Sequence, residues 1–160
     1  MIQAQWMEAA FALAEEAAAA GEIPVGAVVV DRDGNIIGRG RNRREAGDPL
    51  GHAELLAIAD ASNAIRATNG WRLDGTTMVV TLEPCAMCAG ALVNARVERL
   101  VFAAHDPKAG FCGSLGNLVQ DPRLNHRLTV EGGFMEERSR VLLQSFFRQL
   151  RQRDRTDNAT

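Results

Sequence analysis

Cys85 and Cys88 stand three residues apart behind Pro84, and His52 and Glu54 form an H-x-E pair earlier in the chain. On a helix, the cysteine spacing places the two thiols one turn apart, with Cβ atoms about 5–6 Å from each other. Both thiolates can then reach one Zn²⁺ at about 2.3 Å. His52 would supply a third ligand and leave the fourth position to water, as catalytic zinc sites do. Glu54 can carry protons without binding the metal. Two thiolates and an imidazole are soft donors that favour zinc. Together the four residues point to hydrolysis. A structural site remains open at this level, because Cys112, His105 and His126 are available as a fourth protein ligand. A thioredoxin-like redox pair would leave His52 and Glu54 without a purpose.

These residues must be delivered by the elements around them. Pro84 suits the first turn of a helix, where its missing N–H costs nothing. The helix it opens spans Cys85 to about Asn94, after a buried strand from Thr76 to Leu82. Asp48-Pro49 has the form of an N-cap followed by proline, which predicts a helix to about Ser62 with His52 and Glu54 in its first turns. Both metal-binding segments then lie at helix starts, where the dipole and free N–H groups favour thiolate over thiol.

The remaining chain reads as layers to hold that pair of helices. Trp6, Ala10, Leu13 and Ala17 recur at helical steps across residues 2–20, and Gly21 supplies the stop. Pro24 to Val30 is a near-continuous apolar run, as in a strand buried on both faces. Asp33-Gly34-Asn35 is a hairpin turn that returns through Ile36 to Gly40. Glycines at 26, 38 and 40 predict a bulge or a close approach of backbone or ligand. Val97 to Ala103 is a further strand, and Arg127 to Gly132 a short edge strand. Glu136 to Arg153 is an amphipathic helix, and Trp6 and Trp71 are read as packing. Strand–helix–strand order implies crossover connections and a partly parallel sheet. Ala104 to Asn125 lacks periodicity, and a loop of that length in a compact domain is usually functional or disordered.

Composition bounds the class. The 160 residues predict one domain over 1–155, with a polar tail over 156–160 expected to be disordered. At 46% hydrophobic and 24% charged, the chain is ordinary for a globular protein. No stretch approaches the roughly 18 apolar residues of a membrane span. Glu8, Glu15 and Glu16 interrupt the alanine-rich start, which argues against a secretory signal. Three cysteines do not make a disulfide framework, so a cytoplasmic home is expected. A net charge of −2 hides arginine clusters at 39–44 and 148–155, which are either solvated faces or phosphate contacts.

H-x-E followed by P-C-x-x-C is the signature of zinc nucleobase deaminases. The chain resembles the bacterial tRNA-specific adenosine deaminases, within the zinc cytidine and deoxycytidylate deaminase superfamily, along nearly its whole length. The residues that carry the resemblance begin with Gly21-Glu22-Ile23-Pro24-Val25-Gly26-Ala27, Asn42 and His52-Ala53-Glu54. They continue through Thr81 to Ala91, Gly113-Ser114-Leu115, Asn125-His126-Arg127 and Phe146-Phe147-Arg148. Nucleoside cytidine deaminases generally carry cysteine where His52 stands. Guanine deaminases share His-Ala-Glu but typically differ after the first cysteine.

The resemblance implies an α/β fold: a single three-layer α-β-α domain with a five-stranded mixed sheet, cytidine deaminase-like. It implies a homodimer holding one Zn²⁺ per subunit on His52, Cys85 and Cys88. It implies hydrolytic conversion of adenosine to inosine at the wobble position of a tRNA anticodon, with the anticodon arm as partner and Glu54 moving the protons. Asn42 matches a family asparagine that hydrogen-bonds the base or its ribose, although the residue alone is equally an Asx-type loop residue. Val25, Leu82 and Ala53 are expected on the substrate side, with Ile23 as a further wall. Asp106, beside Lys108, is expected to read a ribose 2′-OH. Phe147 and Arg148 are expected to stack on and anchor RNA, with at least one of Phe146 and Phe147 in the core.

His105 stands where the family commonly has arginine, and Pro107, Ala109, Phe111 and Cys112 also depart from the usual small or polar residues. Those departures bear on RNA contacts and leave the metal residues untouched. Cys112 is read as an incidental thiol and His126 as a structural histidine. Glu83 is read either as a partner near the metal or as a charge favouring the following helix. Two other functions remain to be separated: deamination of free guanine or cytosine, and non-catalytic RNA binding with a structural zinc.

Overall fold

The computed structural model describes residues 2–159. The chain runs α1 (Ile2–Ala19), β1 (Gly26–Val30), β2 (Ile36–Arg41), α2 (Ala53–Asn69), β3 (Thr77–Leu82), α3 (Ala86–Asn94), β4 (Arg99–Ala104), β5 (Thr129–Gly132) and α4 (Glu136–Asp157). The strands form one mixed sheet in the order β2-β1-β3-β4-β5. β1 is antiparallel to both β2 and β3, whereas β3, β4 and β5 run parallel. The crossovers through α3 and the 105–128 segment make those parallel pairings possible.

Alternation along the strands sorts the core into two layers. Val28, Val30, Val79, Val101 and Ala103 face Met7, Ala10 and Phe11 of α1. Ala27, Val29, Met78, Val80, Leu100 and Phe102 face Ala53, Ala57 and Ala61 of α2 and Leu92 and Val93 of α3. Because both faces are covered, every residue of β1 is buried, which accounts for its unbroken apolar run. α4 closes the α1 side, where the Arg138 guanidinium lies 4.4 Å from the Phe11 ring centre and pairs with Glu8.

The position of α2 follows from two small-residue surfaces in contact. A Cβ at Gly40 would lie 2.1 Å from the Ala53 carbonyl oxygen, and one at Gly38 would lie 2.3 Å from that of Ala57. The glycines therefore serve a close backbone approach. A register shift between Val29 and Val30 lies beside them. α2 also differs from its expected limits. Asp48 does not cap it: its Oδ1 accepts from Leu50 N–H at 3.0 Å and its Oδ2 from Arg43 Nε at 3.2 Å, closing a separate turn. The helix starts at Ala53 with His52 as N-cap, then runs past Ser62 to the turn at Gly70, whose φ is 64°. No breaker intervenes between Ser62 and Gly70, and Ile65 continues the apolar face.

Two further expectations change. α4 continues to Asp157, two residues into the stretch expected to be a disordered tail, while Thr160 lies outside the described residues. Trp6 packs as expected and donates from Nε1 to the Gly34 carbonyl at 3.2 Å. Trp71 does not pack inside. It is 59% exposed, with the Arg72 and Arg96 guanidinium groups 5.3 and 5.5 Å from its ring centre. Among the described residues, no helix is long and apolar enough to cross a membrane.

Candidate active site

Two helix starts meet at the carboxyl end of β3. His52 is the N-cap of α2, and Cys85 is the N-cap of α3, with Cys88 one turn further in. The His52 Nδ1 atom lies 3.6 Å from the Sγ atoms of both Cys85 and Cys88. A tetrahedral zinc with ordinary Zn–S and Zn–N bonds requires an S···N separation of about 3.6 Å. The donor set therefore fits the ion by type and by spacing. Among the described residues, His52, Cys85 and Cys88 form the one group whose ligand atoms converge within 4.8 Å.

The candidates for a fourth ligand stay outside that group. His126 Nε2 hydrogen-bonds the Val97 carbonyl oxygen at 2.7 Å, the structural role expected for it. His105 Nδ1 pairs with Glu136 Oε1 at 3.1 Å. Cys112 is buried, and burial raises its thiol pKa, which disfavours the thiolate.

Electrostatics at the convergence point suit metal binding and proton transfer. A hydrogen bond from Cys88 pulls the Cys85 thiol down to about 5, making it a thiolate near neutral pH. The same hydrogen bond, reinforced by burial, holds the Cys88 thiol up. Glu54 enters from the first turn of α2 and is 4% exposed. Its burial raises the carboxyl pKa above the ordinary carboxylate value, the direction that suits a group that must take up and release protons.

These residues open onto a cavity of about 230 Å³. Ile23, Val25 and Leu82 supply apolar walls, while Asn42, His52, Glu54, Cys85 and Asp106 supply the polar groups. Asn42, Val25, Leu82, Asp106, His52, Cys85 and Glu54 thus border one cavity, with the Cys88 thiol grouped with the ligand atoms of His52 and Cys85. Asn42 is not the Asx-type loop residue that its type alone allowed, because its side chain bonds segments distant in sequence. Its Nδ2 donates to the Ile23 carbonyl at 3.1 Å and its Oδ1 accepts from Ala53 N–H at 3.1 Å, while the side chain still borders the cavity. Asp106 also serves its own loop, with Oδ1 accepting from Lys108 N–H at 3.1 Å and Ala109 N–H at 3.2 Å.

Three expected substrate-side residues do not line this cavity. Ala53 is fully buried and meets the site through its N–H to Asn42. Phe147 and Arg148 line a separate basic depression with His105, Lys108, Arg140 and Arg151. The two hollows are joined by the 105–109 segment, since Asp106 and Ala109 line the first and Lys108 the second. Phe147 is 38% exposed and meets Phe146 edge to face at 5.6 Å.

Two buried carboxylates at the cavity rim had no sequence-based role this specific. Glu22 accepts from Glu45 N–H at 2.8 Å and Ala46 N–H at 3.0 Å, holding one loop. Glu83 accepts from the backbone of the opposite loop. Burial works to raise the Glu83 pKa, but hydrogen bonds from Ser114, Asp106 and Cys112 hold it below the ordinary carboxylate range. A charged residue at the end of a buried strand was the one visible signal, since an unpaired buried carboxylate is costly.

Comparison with known proteins agrees with this geometry. The family model for the cytidine and deoxycytidylate deaminase zinc-binding region matches residues 1–104. The tRNA-specific adenosine deaminase of Bacillus subtilis (strain 168) is 47% identical over 149 residues, covering 92% of this chain and 90% of the relative. The tRNA-specific adenosine deaminase of Haemophilus influenzae is 43% identical, covering 96% of this chain and 87% of the relative. A solved structure from a study of A-to-I editing by tRNA:A34 deaminases at the wobble position superposes with a TM-score of 0.80 at 40% identity. That match covers 88% of this chain and 99% of the other. A guanine deaminase from Nitrosomonas europaea superposes less closely, with a TM-score of 0.73 at 27% identity, covering 88% and 82% of the two chains.

Proposed function

The chain belongs to the cytidine and deoxycytidylate deaminase family, and we propose that it converts adenosine to inosine at the wobble position of a tRNA anticodon. The observation that carries this reading is the convergence of His52, Cys85 and Cys88 beside buried Glu54 in one cavity. Support for the substrate comes from relatives named tRNA-specific adenosine deaminase, which match at 47% and 43% identity over nearly the whole chain.

His52, Cys85 and Cys88 would hold one Zn²⁺ per subunit, which when bound supplies Lewis-acid activation of water. Glu54 takes a proton from the attacking water and delivers it to ring N1. The water oxygen bonds to C6, and Glu54 then carries the remaining hydroxyl proton to the amine as the C6–N bond breaks, so adenosine and water yield inosine and ammonia. Val25, Leu82 and Ile23 pack against the base, and Asn42 has one remaining N–H and one remaining lone pair to orient it. Ala53 acts from behind by fixing Asn42. Asp106 faces the ribose, while Phe147 and Arg148 stack on and anchor the flanking RNA.

We assign one deaminase domain, expected over 1–155 and carried by α4 to Asp157, acting as the homodimer that the family resemblance implies. A cytoplasmic home is consistent with thiolate ligands that must stay reduced.

The test is incubation of the zinc-loaded protein with unmodified tRNA, followed by sequencing for inosine in the anticodon. Parallel assays follow ammonia release from free guanine and cytosine. Inosine at the wobble position is expected. Deamination of a free base with tRNA untouched would replace this function with that of a small-molecule deaminase, and no turnover on any substrate would favour a binding module.

A further inference from the structure

We propose that Glu83 is a positioning residue that clamps the substrate loop to the metal-binding helix, an inference that rests on the deaminase reading above. Its carboxylate gathers both ends of one loop. Oε1 accepts from Asp106 N–H at 3.0 Å and from the Ser114 hydroxyl. Oε2 accepts from Cys112 N–H at 3.1 Å and Ser114 N–H at 3.0 Å. An ionised carboxylate offers about four lone-pair sites, so all of them are taken by the protein. Glu83 borders the cavity yet has no acceptor left for a substrate.

The same carboxylate is tied to the metal ligands by the chain itself. Glu83 N–H donates to the Ala104 carbonyl at 2.8 Å, fixing it at the end of β3, and Pro84 and Cys85 follow directly. Phe111 N–H donates to the Pro84 carbonyl at 2.9 Å, and Cys85 bridges to Gly110. The loop passes so close that a Cβ at Gly110 would lie 2.3 Å from the Glu83 carboxyl carbon. Asp106 and Ala109, which this loop contributes to the cavity, are thereby held at a set distance from Cys85. Two halves of the site, metal and RNA-facing loop, share one anchor.

The clamp predicts loss of substrate binding rather than of chemistry. The Glu83→Gln variant presents an amide N–H₂ to backbone N–H donors and breaks at least part of the set. Its KM for an anticodon stem-loop is expected to rise about tenfold or more with kcat within about threefold, as loss of charge-assisted hydrogen bonds would give. Zinc content should match wild type, and the amides of Asp106, Cys112 and Ser114 should exchange hydrogen faster. Ser114→Ala, which removes a single hydroxyl bond, should raise KM a few-fold and speed the same amides, so the proposal remains testable if Glu83→Gln fails to fold. A Glu83→Gln protein with wild-type KM and unchanged loop exchange would overturn the clamp, as would zinc loss or a fall in kcat at constant KM. Amide exchange requires no substrate, so it judges the clamp even if the wild type left RNA untouched, a result that would instead count against the proposed function.

Discussion

Asn42 Oδ1 accepts the backbone N–H of Ala53 at 3.1 Å, so a residue on the loop after β2 caps the first turn of the helix that carries Glu54. His52, the N-cap by backbone geometry, makes no side-chain capping bond. Asn42 fills that role from a distance. The Asn42→Ala variant should therefore lose stability as well as substrate affinity. A lost cap costs about 1 kcal/mol, which lowers the melting temperature of a chain this size by about 2–4 °C. Calorimetry on the zinc-loaded protein tests this; a variant with raised KM and unchanged melting would reduce Asn42 to a substrate contact.

The metal ligands and Glu54 were legible because their chemistry demands fixed residue types at short spacing. The apolar walls Val25 and Leu82 came from family resemblance, since an apolar strand residue reads first as core. Strand and helix segments followed from periodicity, while the five-stranded arrangement came from family resemblance. What escaped depended on closure of the chain in three dimensions. Asp48-Pro49 has the local form of a helix start, but Asp48 spends its carboxylate on its own turn. Glu22 and Glu83 gain their roles only when loops distant in sequence fold over them. Phe147 and Arg148 were expected at the substrate and are found in a neighbouring depression.

Gly40 sets how closely α2 approaches the sheet. In Gly40→Ala, the new Cβ would meet the Ala53 carbonyl oxygen at 2.1 Å and the Ala57 nitrogen at 2.6 Å, both backbone atoms that cannot swing away. Overpacking of this kind costs about 1–3 kcal/mol. Because α2 carries His52, zinc affinity should fall in parallel. Competition with a colorimetric chelator measures that fall, and unchanged affinity with unchanged stability would show that α2 can shift freely.

The thiol pair carries a pH signature in metal-stripped protein. Cys85 is pulled down to about 5 by the hydrogen bond from Cys88, below the unfolded thiol value of about 8.5. For Cys85, a folded pKa below the unfolded one adds stability that is fully present above about 8.5 and is lost as pH falls through the folded value, while the raised Cys88 thiol takes stability away as pH rises above about 8.5. Ultraviolet thiolate absorbance should show one thiol titrating near that low value in the folded protein. Cys88→Ala removes the donor, so the step should move up toward the ordinary thiol range; a step that stays in place would assign the shift to another group.

Arg148 and Lys108 share a basic depression with exposed Phe147. If Arg148 meets a phosphate, Arg148→Ala should raise KM for tRNA and reduce the salt dependence of binding by about 0.7–0.9 in the slope of log K against log salt. Titrations at several salt concentrations read the slope. An unchanged slope would place Arg148 outside the RNA path.

In the proposed reaction Glu54 carries the protons while His52, Cys85 and Cys88 hold the metal. The direct measurement is zinc content and inosine formation on one preparation of the Glu54→Gln variant. The division of labour predicts one bound zinc, as in wild type, with turnover reduced by about 10²-fold or more. Full turnover with zinc retained would contradict it.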